Sequence, residues 1–79
     1  MTNNIERWLK TPVILNIDGR RMQGIIEDKN KGSVSSRGYH FSSEEEKTAR
    51  RISCIEIKDS IMTGCIEYGS FIKYTAQIE

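Results

Sequence analysis

The sequence predicts a single small, mainly β domain: five strongly bent strands curled into a barrel, preceded by a short helix and interrupted by a long loop at 29–51. Three observations carry this expectation. Apolar and polar residues alternate with a period of two in several short runs. Turn signals rich in Gly, Asp and Ser separate those runs. A glycine, Gly24, stands inside a strand pattern, where it marks a bulge, a sharp bend or a closely approaching backbone.

Taken in order, Asn3 or Asn4 supplies a cap for a short helix with Glu6 in its first turn, and Ile5, Trp8 and Leu9 fall on one face. Thr11-Pro12 ends it, because the residue before a proline is pushed out of the helical region. Two helical turns are not stable alone in water, so this face is expected to lie on one end of the sheet. Val13, Leu15 and Ile17 point one way along the first strand, and Asp18-Gly19 is a strong hairpin signal. The return strand, Arg21 to Glu27, alternates Met22, Gly24 and Ile26 against Gln23, Ile25 and Glu27. After Arg51, Ile55 and Ile57 alternate with Glu56 and Lys58, and Asp59-Ser60 turns the chain. Met62, Gly64, Ile66 and Tyr68 alternate next, and Gly69-Ser70 turns the chain again. The last strand sets Ile72, Tyr74, Ala76 and Ile78 on one face and Lys73, Thr75 and Gln77 on the other. No internal repeat is visible.

Between Lys29 and Arg51 the periodicity fails: the stretch holds two Gly, five Ser, six Lys or Arg and three consecutive Glu. A loop of this length is more often functional or mobile than structural. Within it, Val34 to Phe41 has the makings of a hairpin turning near Gly38, and Ser42-Ser43-Glu44 of the cap of a short helix.

Size and composition narrow the function. A chain of 79 residues, 37% of them apolar, has a thin core, which favours self-association. Twelve Lys and Arg against eleven Asp and Glu give a net charge of +1, so any nucleic-acid surface is a local patch. No apolar run approaches the ~20 residues that cross a bilayer and none follows a basic N-terminus, so the chain reads as cytoplasmic, cellular or viral, with no membrane partner. Cys54 and Cys65 lie outside any C-x-x-C pair and read as small buried hydrophobes. With His40 as the only histidine, the spacing supports no metal site, and no cofactor is implied.

The run "DGRRMQG" resembles the D-G-R-x-hydrophobic-x-G core of the first Sm motif, and "PVILNIDGRRMQGIIE" looks like the opening of bacterial Hfq with one residue fewer between proline and turn glycine. Farther on, "IEYGSFIKY" resembles the second Sm motif. The match covers about two thirds of the chain, from Ile5 to Asp28 and from Ile52 to Ile78. It implies an Sm-like (SH3-like) barrel whose fourth and fifth strands, "SIMTGCIEY" and "FIKYTAQIE", pair between subunits to close a ring with pockets between them. The family's RNA-binding residues do not carry over. Asp28 and Asn30 follow Gly24 too closely to match its uracil-binding pair, Tyr68 replaces its arginine, and Gly69 and Ser70 stand where Hfq has lysine and histidine.

Candidate chemistry is non-enzymatic. Glu27-Asp28 and Glu44-Glu45-Glu46 are adjacent carboxylates of the kind normally solvated, no nucleophile-base set can be assembled around one loop histidine, and Lys31-Gly32-Ser33 lacks the strand, spacing and helix of a phosphate loop. Basic and aromatic residues fare better. Arg20 and Arg21 at the hairpin tip, Lys31, Arg37, Arg50 and Arg51 in the loop, and Tyr39, His40, Phe41 and Tyr68 combine phosphate neutralisation with base stacking. They point to RNA or a small nucleotide bound by a homo-oligomer. Two plainer readings stay open: "GYHF" pins the loop to the barrel, and Glu46 pairs with Arg50 at i+4 in a helical turn. The alternative function is a protein-binding regulator or a virus-encoded inhibitor of a host protein.

Overall fold

Six strands form, one more than the alternation predicts. The computed structural model describes residues 5–29, 37–46 and 48–79. Its strands are β1 (Val13–Ile17), β2 (Arg20–Lys29), β3 (Gly38–Ser43), β4 (Arg50–Lys58), β5 (Ile61–Tyr68) and β6 (Ser70–Ile78), each antiparallel to the next. β6 returns to pair with β1, Val13 opposite Ile78 and Leu15 opposite Ala76, and the barrel is closed.

The additional strand is β3, drawn from the stretch read as a loop. Tyr39 and Phe41 share its inward parity with Ser43, and β3 pairs with β2 (Ile26 opposite Phe41) and with β4 (Tyr39 opposite Ile52). The helix expected after it is a turn: the Ser43 hydroxyl accepts from the amides of Glu45 and Glu46, each at 3.1 Å, a capping pattern without the helix. The expected hairpin start at Val34 lies outside the described residues, as do Asn3 and Asn4.

Closure also removes the ring device that the Sm resemblance implies. β5 and β6 pair with each other within one chain along their whole length, from Ile61–Gln77 to Tyr68–Ser70, and each has a second neighbour. Neither keeps an edge for another subunit.

The core is the sum of the inward parities: Val13, Leu15, Ile17, Met22, Ile26, Phe41, Ile52, Met62, Ile66, Tyr74 and Ala76 are buried, together with Trp8. The N-terminal segment is a single 3₁₀ turn, Ile5–Trp8, rather than two α-helical turns. Its apolar face lies on the barrel as expected, with Trp8 buried, Ile5 and Leu9 half-buried, and the Lys10 amide donating to the Ile26 carbonyl at 2.9 Å. Asp18 and Gly19, both with positive φ, form the two-residue turn between β1 and β2, and Asn16 Oδ1 accepts from the Gly19 amide at 3.0 Å.

Gly24 is where β2 changes partner. Arg20 to Gly24 pair with β1, and Gly24 to Lys29 pair with β3, without a break in register. Of the three options for this glycine, close backbone approach applies: a β-carbon there would lie 2.1 Å from the Ser42 carbonyl oxygen and 2.9 Å from the Phe41 ring. Gly64 on β5 is built the same way, with the Ser53 carbonyl 2.7 Å and the Tyr74 hydroxyl 2.8 Å from a β-carbon. The correspondence reaches the sequence. Met22-Gln23-Gly24-Ile25-Ile26-Glu27 and Met62-Thr63-Gly64-Cys65-Ile66-Glu67 share a Met-x-Gly-x-Ile-Glu pattern on the middle strands of two three-stranded meanders, each glycine crossed by an aromatic ring of the third strand. A short internal repeat is therefore present, contrary to the reading from sequence.

Candidate ligand-binding surface

The strand parities distribute the predicted site residues over three places. The first is the barrel end formed by the Asp18-Gly19 turn, the β3–β4 connection and Gly69. Tyr68 continues the inward face of Met62, Gly64 and Ile66 past the last core layer, and Arg50 stands two residues before buried Ile52, so both reach this lip. The Arg50 guanidinium lies 4.1 Å from the centre of the Tyr68 ring. Arg50 Nε donates to Glu46 Oε1 at 3.2 Å, and the Tyr68 hydroxyl donates to the same oxygen at 3.1 Å, with Met22 Sδ at 3.7 Å. Burial, followed by the hydrogen bond to the Glu46 carboxylate, pushes the Tyr68 hydroxyl above the usual tyrosine pKa. The Glu46–Arg50 pair thus exists at the expected i+4 spacing, although the described residues here form no helix: Glu44 and Glu45 turn on Ser43, and Arg50 begins β4. Arg20 approaches Glu45 at 3.8 Å with both side chains largely exposed, so this ion pair stabilises by about 1 kcal/mol at most.

The second place is the outer face of β2, β3 and β4. The register aligns Glu27, His40 and Arg51 in one row. His40 Nδ1 donates to the Gly38 carbonyl at 3.2 Å, and the Arg51 guanidinium passes over Gly38. Tyr39 belongs to the opposite parity and lies half-buried among Ile5, Ile55 and Ile57, at the edge of an open hollow of about 760 Å³.

The third is the β1–β6 side, where Arg21, opposite Asn16, lines a hollow of about 260 Å³. Arg37 is exposed, and Lys31 lies outside the described residues. Phe41 requires a correction: at 1% exposure it is a core residue packed against Gly24, with no face left for a base. "GYHF" therefore divides, its tyrosine and phenylalanine serving the core and only its histidine facing outward. The lip brings Arg20, Arg50 and Tyr68 together; the others are dispersed.

Two features were missed from sequence. Phe71, 51% exposed, and Ile72, 37% exposed, follow Ser70 at the start of β6, on the side of the barrel where Gly69 turns the chain. The cysteines are the second. Cys54 is exposed and Cys65 half-buried, where both were expected to be buried, and they line an outer groove of about 690 Å³ with Asn16, Thr63, Lys73 and Thr75. Among the described residues no group of three or more His, Cys, Asp or Glu could hold a metal ion, and no helix is long and apolar enough to cross a membrane. No protein-family model, curated protein or solved structure matches the chain.

Proposed function

We propose that this protein is a cytosolic, non-enzymatic binding module that holds RNA or a small nucleotide at the lip formed by Arg20, Arg50, Tyr68 and Phe71. The observation that carries this reading is the Arg50–Tyr68 stack beside Arg20: two guanidinium groups and a ring at the mouth of a barrel whose interior is already filled by side chains. Phosphates take the guanidinium groups, and the exposed Phe71 ring offers the stacking face that Phe41 does not. Glu45 and Glu46 hold the arginines in the free protein, so an anionic ligand competes with two carboxylates. Binding is then modest and strongly salt-dependent. The sequence resemblance to Sm-like barrels enters as support for an RNA ligand and supplies no residue of the site.

The test is a fluorescence-anisotropy titration with a short single-stranded RNA and, in parallel, with a labelled adenine nucleotide at several salt concentrations. Affinity should fall steeply from low to moderate salt, and Phe71→Ala should weaken it about tenfold, in line with about 1 to 3 kcal/mol per stacked base. Absence of binding to either probe at low salt would sink the proposal.

A second reading, a protein-binding regulator or inhibitor of a host protein, is favoured by the exposed apolar pair Phe71 and Ile72. It requires association that is insensitive to salt and lost in Phe71→Ala but retained in Arg50→Ala. Self-association, favoured by the thin core, has to use lips or faces because every strand already has two neighbours. A light-scattering mass equal to the 9.1 kDa chain at micromolar concentration would exclude it.

A further inference from the structure

Cys54 occupies an unusual backbone position. The register of β4 against β5 runs Ile52–Ile66 and Ser53–Cys65, then resumes at Glu56–Thr63, so β4 carries one residue more than β5 across this step. Cys54 lies in that bulge with φ of +54°, the left-handed region that glycine ordinarily fills at such a site. The insertion resets the parity of the strand. Ile52 and Ile55 both pack toward the core although they stand three positions apart and so have opposite parity, and Cys54, which regular alternation would turn inward, is exposed. Cys65 faces outward on the neighbouring strand, directly opposite Ser53 and paired on its other side with Lys73.

Both cysteines consequently line the same outer groove. Ser53 is the residue opposed to Cys65, and Cys54 is the next along β4, a diagonal neighbour of Cys65. Opposed strand residues lie about 4.5 to 5.5 Å apart at Cα and disulfides span about 4.4 to 6.8 Å, so a diagonal neighbour one residue along is within bonding reach. The groove walls suit a small zwitterionic peptide. Lys73 offers an ammonium to carboxylates, Asp18 and Glu56 offer carboxylates to an amino group, and Asn16, Thr63 and Thr75 supply neutral polar contacts.

We propose that Cys54 and Cys65 form a thiol–disulfide exchange site for a glutathione-type peptide disulfide. The Cys54 thiolate attacks one sulfur of the peptide disulfide, forming a mixed disulfide and expelling one peptide thiolate, which takes up the proton lost by Cys54. Cys65, as its thiolate, attacks the Cys54 sulfur, forming the Cys54–Cys65 bond and expelling the second peptide thiolate, which takes up the proton lost by Cys65. The two cysteines are oxidised by two electrons and the peptide disulfide is reduced to two thiols. Exposure assigns the attacking role to Cys54 and the resolving role to half-buried Cys65. The product ties β4 to β5 at the bulge; on the cytosolic reading proposed above, such bonds are transient and serve sensing rather than permanent structure.

The experiment treats the reduced full-length protein with oxidised glutathione, quenches with an alkylating agent and follows intact mass and peptide maps over time. The wild type should lose two hydrogens, retain no glutathionyl group and yield one linked Cys54–Cys65 peptide pair. Cys65→Ser should retain one glutathionyl group, and Cys54→Ser should react about tenfold more slowly than Cys65→Ser. Circular dichroism checks that both variants fold, and the wild-type peptide map decides the matter if either does not. A wild type that retains glutathione or links only between molecules, or variants that react at equal rates, would overturn the proposal.

Discussion

Gly24 and Ser42 approach so closely that a β-carbon on the glycine would sit 2.1 Å from the serine's carbonyl oxygen. That oxygen belongs to the backbone of a strand paired on both sides, so it cannot swing away as the end of a flexible side chain could. Gly24→Ala is expected to destabilise the barrel by about 3 kcal/mol, the upper range for overpacking, and Gly24→Val by more. Gly19 provides the contrast. It has φ of +87° with open space around it, so Gly19→Ala adds only left-handed backbone strain of about 1 to 2 kcal/mol. Arg20→Ala and Arg21→Ala, both at exposed positions, should stay within about 0.5 kcal/mol of the wild type. Urea unfolding of the five variants ranks them, and unchanged stability in Gly24→Val would refute the close-approach account.

Trp8 is the only tryptophan and is 3% exposed, although it belongs to a single 3₁₀ turn. Its side chain, together with the Lys10 amide bonded to the Ile26 carbonyl, fixes that segment to the barrel. Trp8→Ala should lower stability by about 3 to 5 kcal/mol. In the wild type, tryptophan emission should shift to longer wavelength in the same transition as the circular dichroism change; an earlier shift would mean that the segment detaches on its own.

Alkaline pH should unfold the protein through Tyr74. Its hydroxyl lies inside the barrel, donating to Met62 Sδ at 3.3 Å, and burial pushes its pKa well above the ordinary tyrosine value of 10.0. The folded state keeps this proton where the unfolded chain releases it. Stability from Tyr74 is therefore complete below about pH 10 and declines as pH rises beyond it. Tyr68, also shifted upward, adds to the same decline. Tyr74→Phe should flatten the slope of stability against pH above 10, and an unchanged slope would place the alkaline transition elsewhere.

At the lip, Glu46 is the shared acceptor of Arg50 and Tyr68. Glu46→Gln removes the charge that competes with an incoming phosphate while keeping an acceptor oxygen. RNA affinity at low salt should rise about threefold to tenfold, and stability should change by about 1 kcal/mol or less. A fall in affinity would mean that Glu46 positions Arg50 for the ligand rather than restraining it.

Much of this barrel was legible in the residues because local rules and tertiary packing agree there. Asp18-Gly19 adopts the positive φ values its turn requires, and the Met62, Ile66, Tyr74 and Ala76 parities are the ones that enter the core. β3 was obscured because one of its three inward positions is Ser43, whose hydroxyl is satisfied by the backbone of the next turn rather than by apolar packing. The β4 bulge did leave a trace: Ile52 and Ile55 have opposite parity and can share a face only if one residue is inserted. The Met-x-Gly-x-Ile-Glu repeat was readable too, but its two copies sit at different distances from their turns, Arg20-Arg21 preceding Met22 and Ile61 alone preceding Met62. Of the lip, the Glu46–Arg50 spacing was evident. Phe71 was not, since it lies on the polar parity of β6, and only the structure shows its ring exposed near the start of that strand.

Five of the six strand pairings join neighbours along the chain, whereas the sixth brings Val13 to Ile78 from nearly opposite ends of it. The meander can grow one hairpin at a time, each new strand adding to a template already formed, but the β1–β6 seam has to gather a loop that contains everything else. Folding kinetics should therefore be governed by the seam. Until it closes, β1 and β6 are both open edges, and the same barrel that offers no edge when finished is, for that interval, a sheet able to recruit another chain.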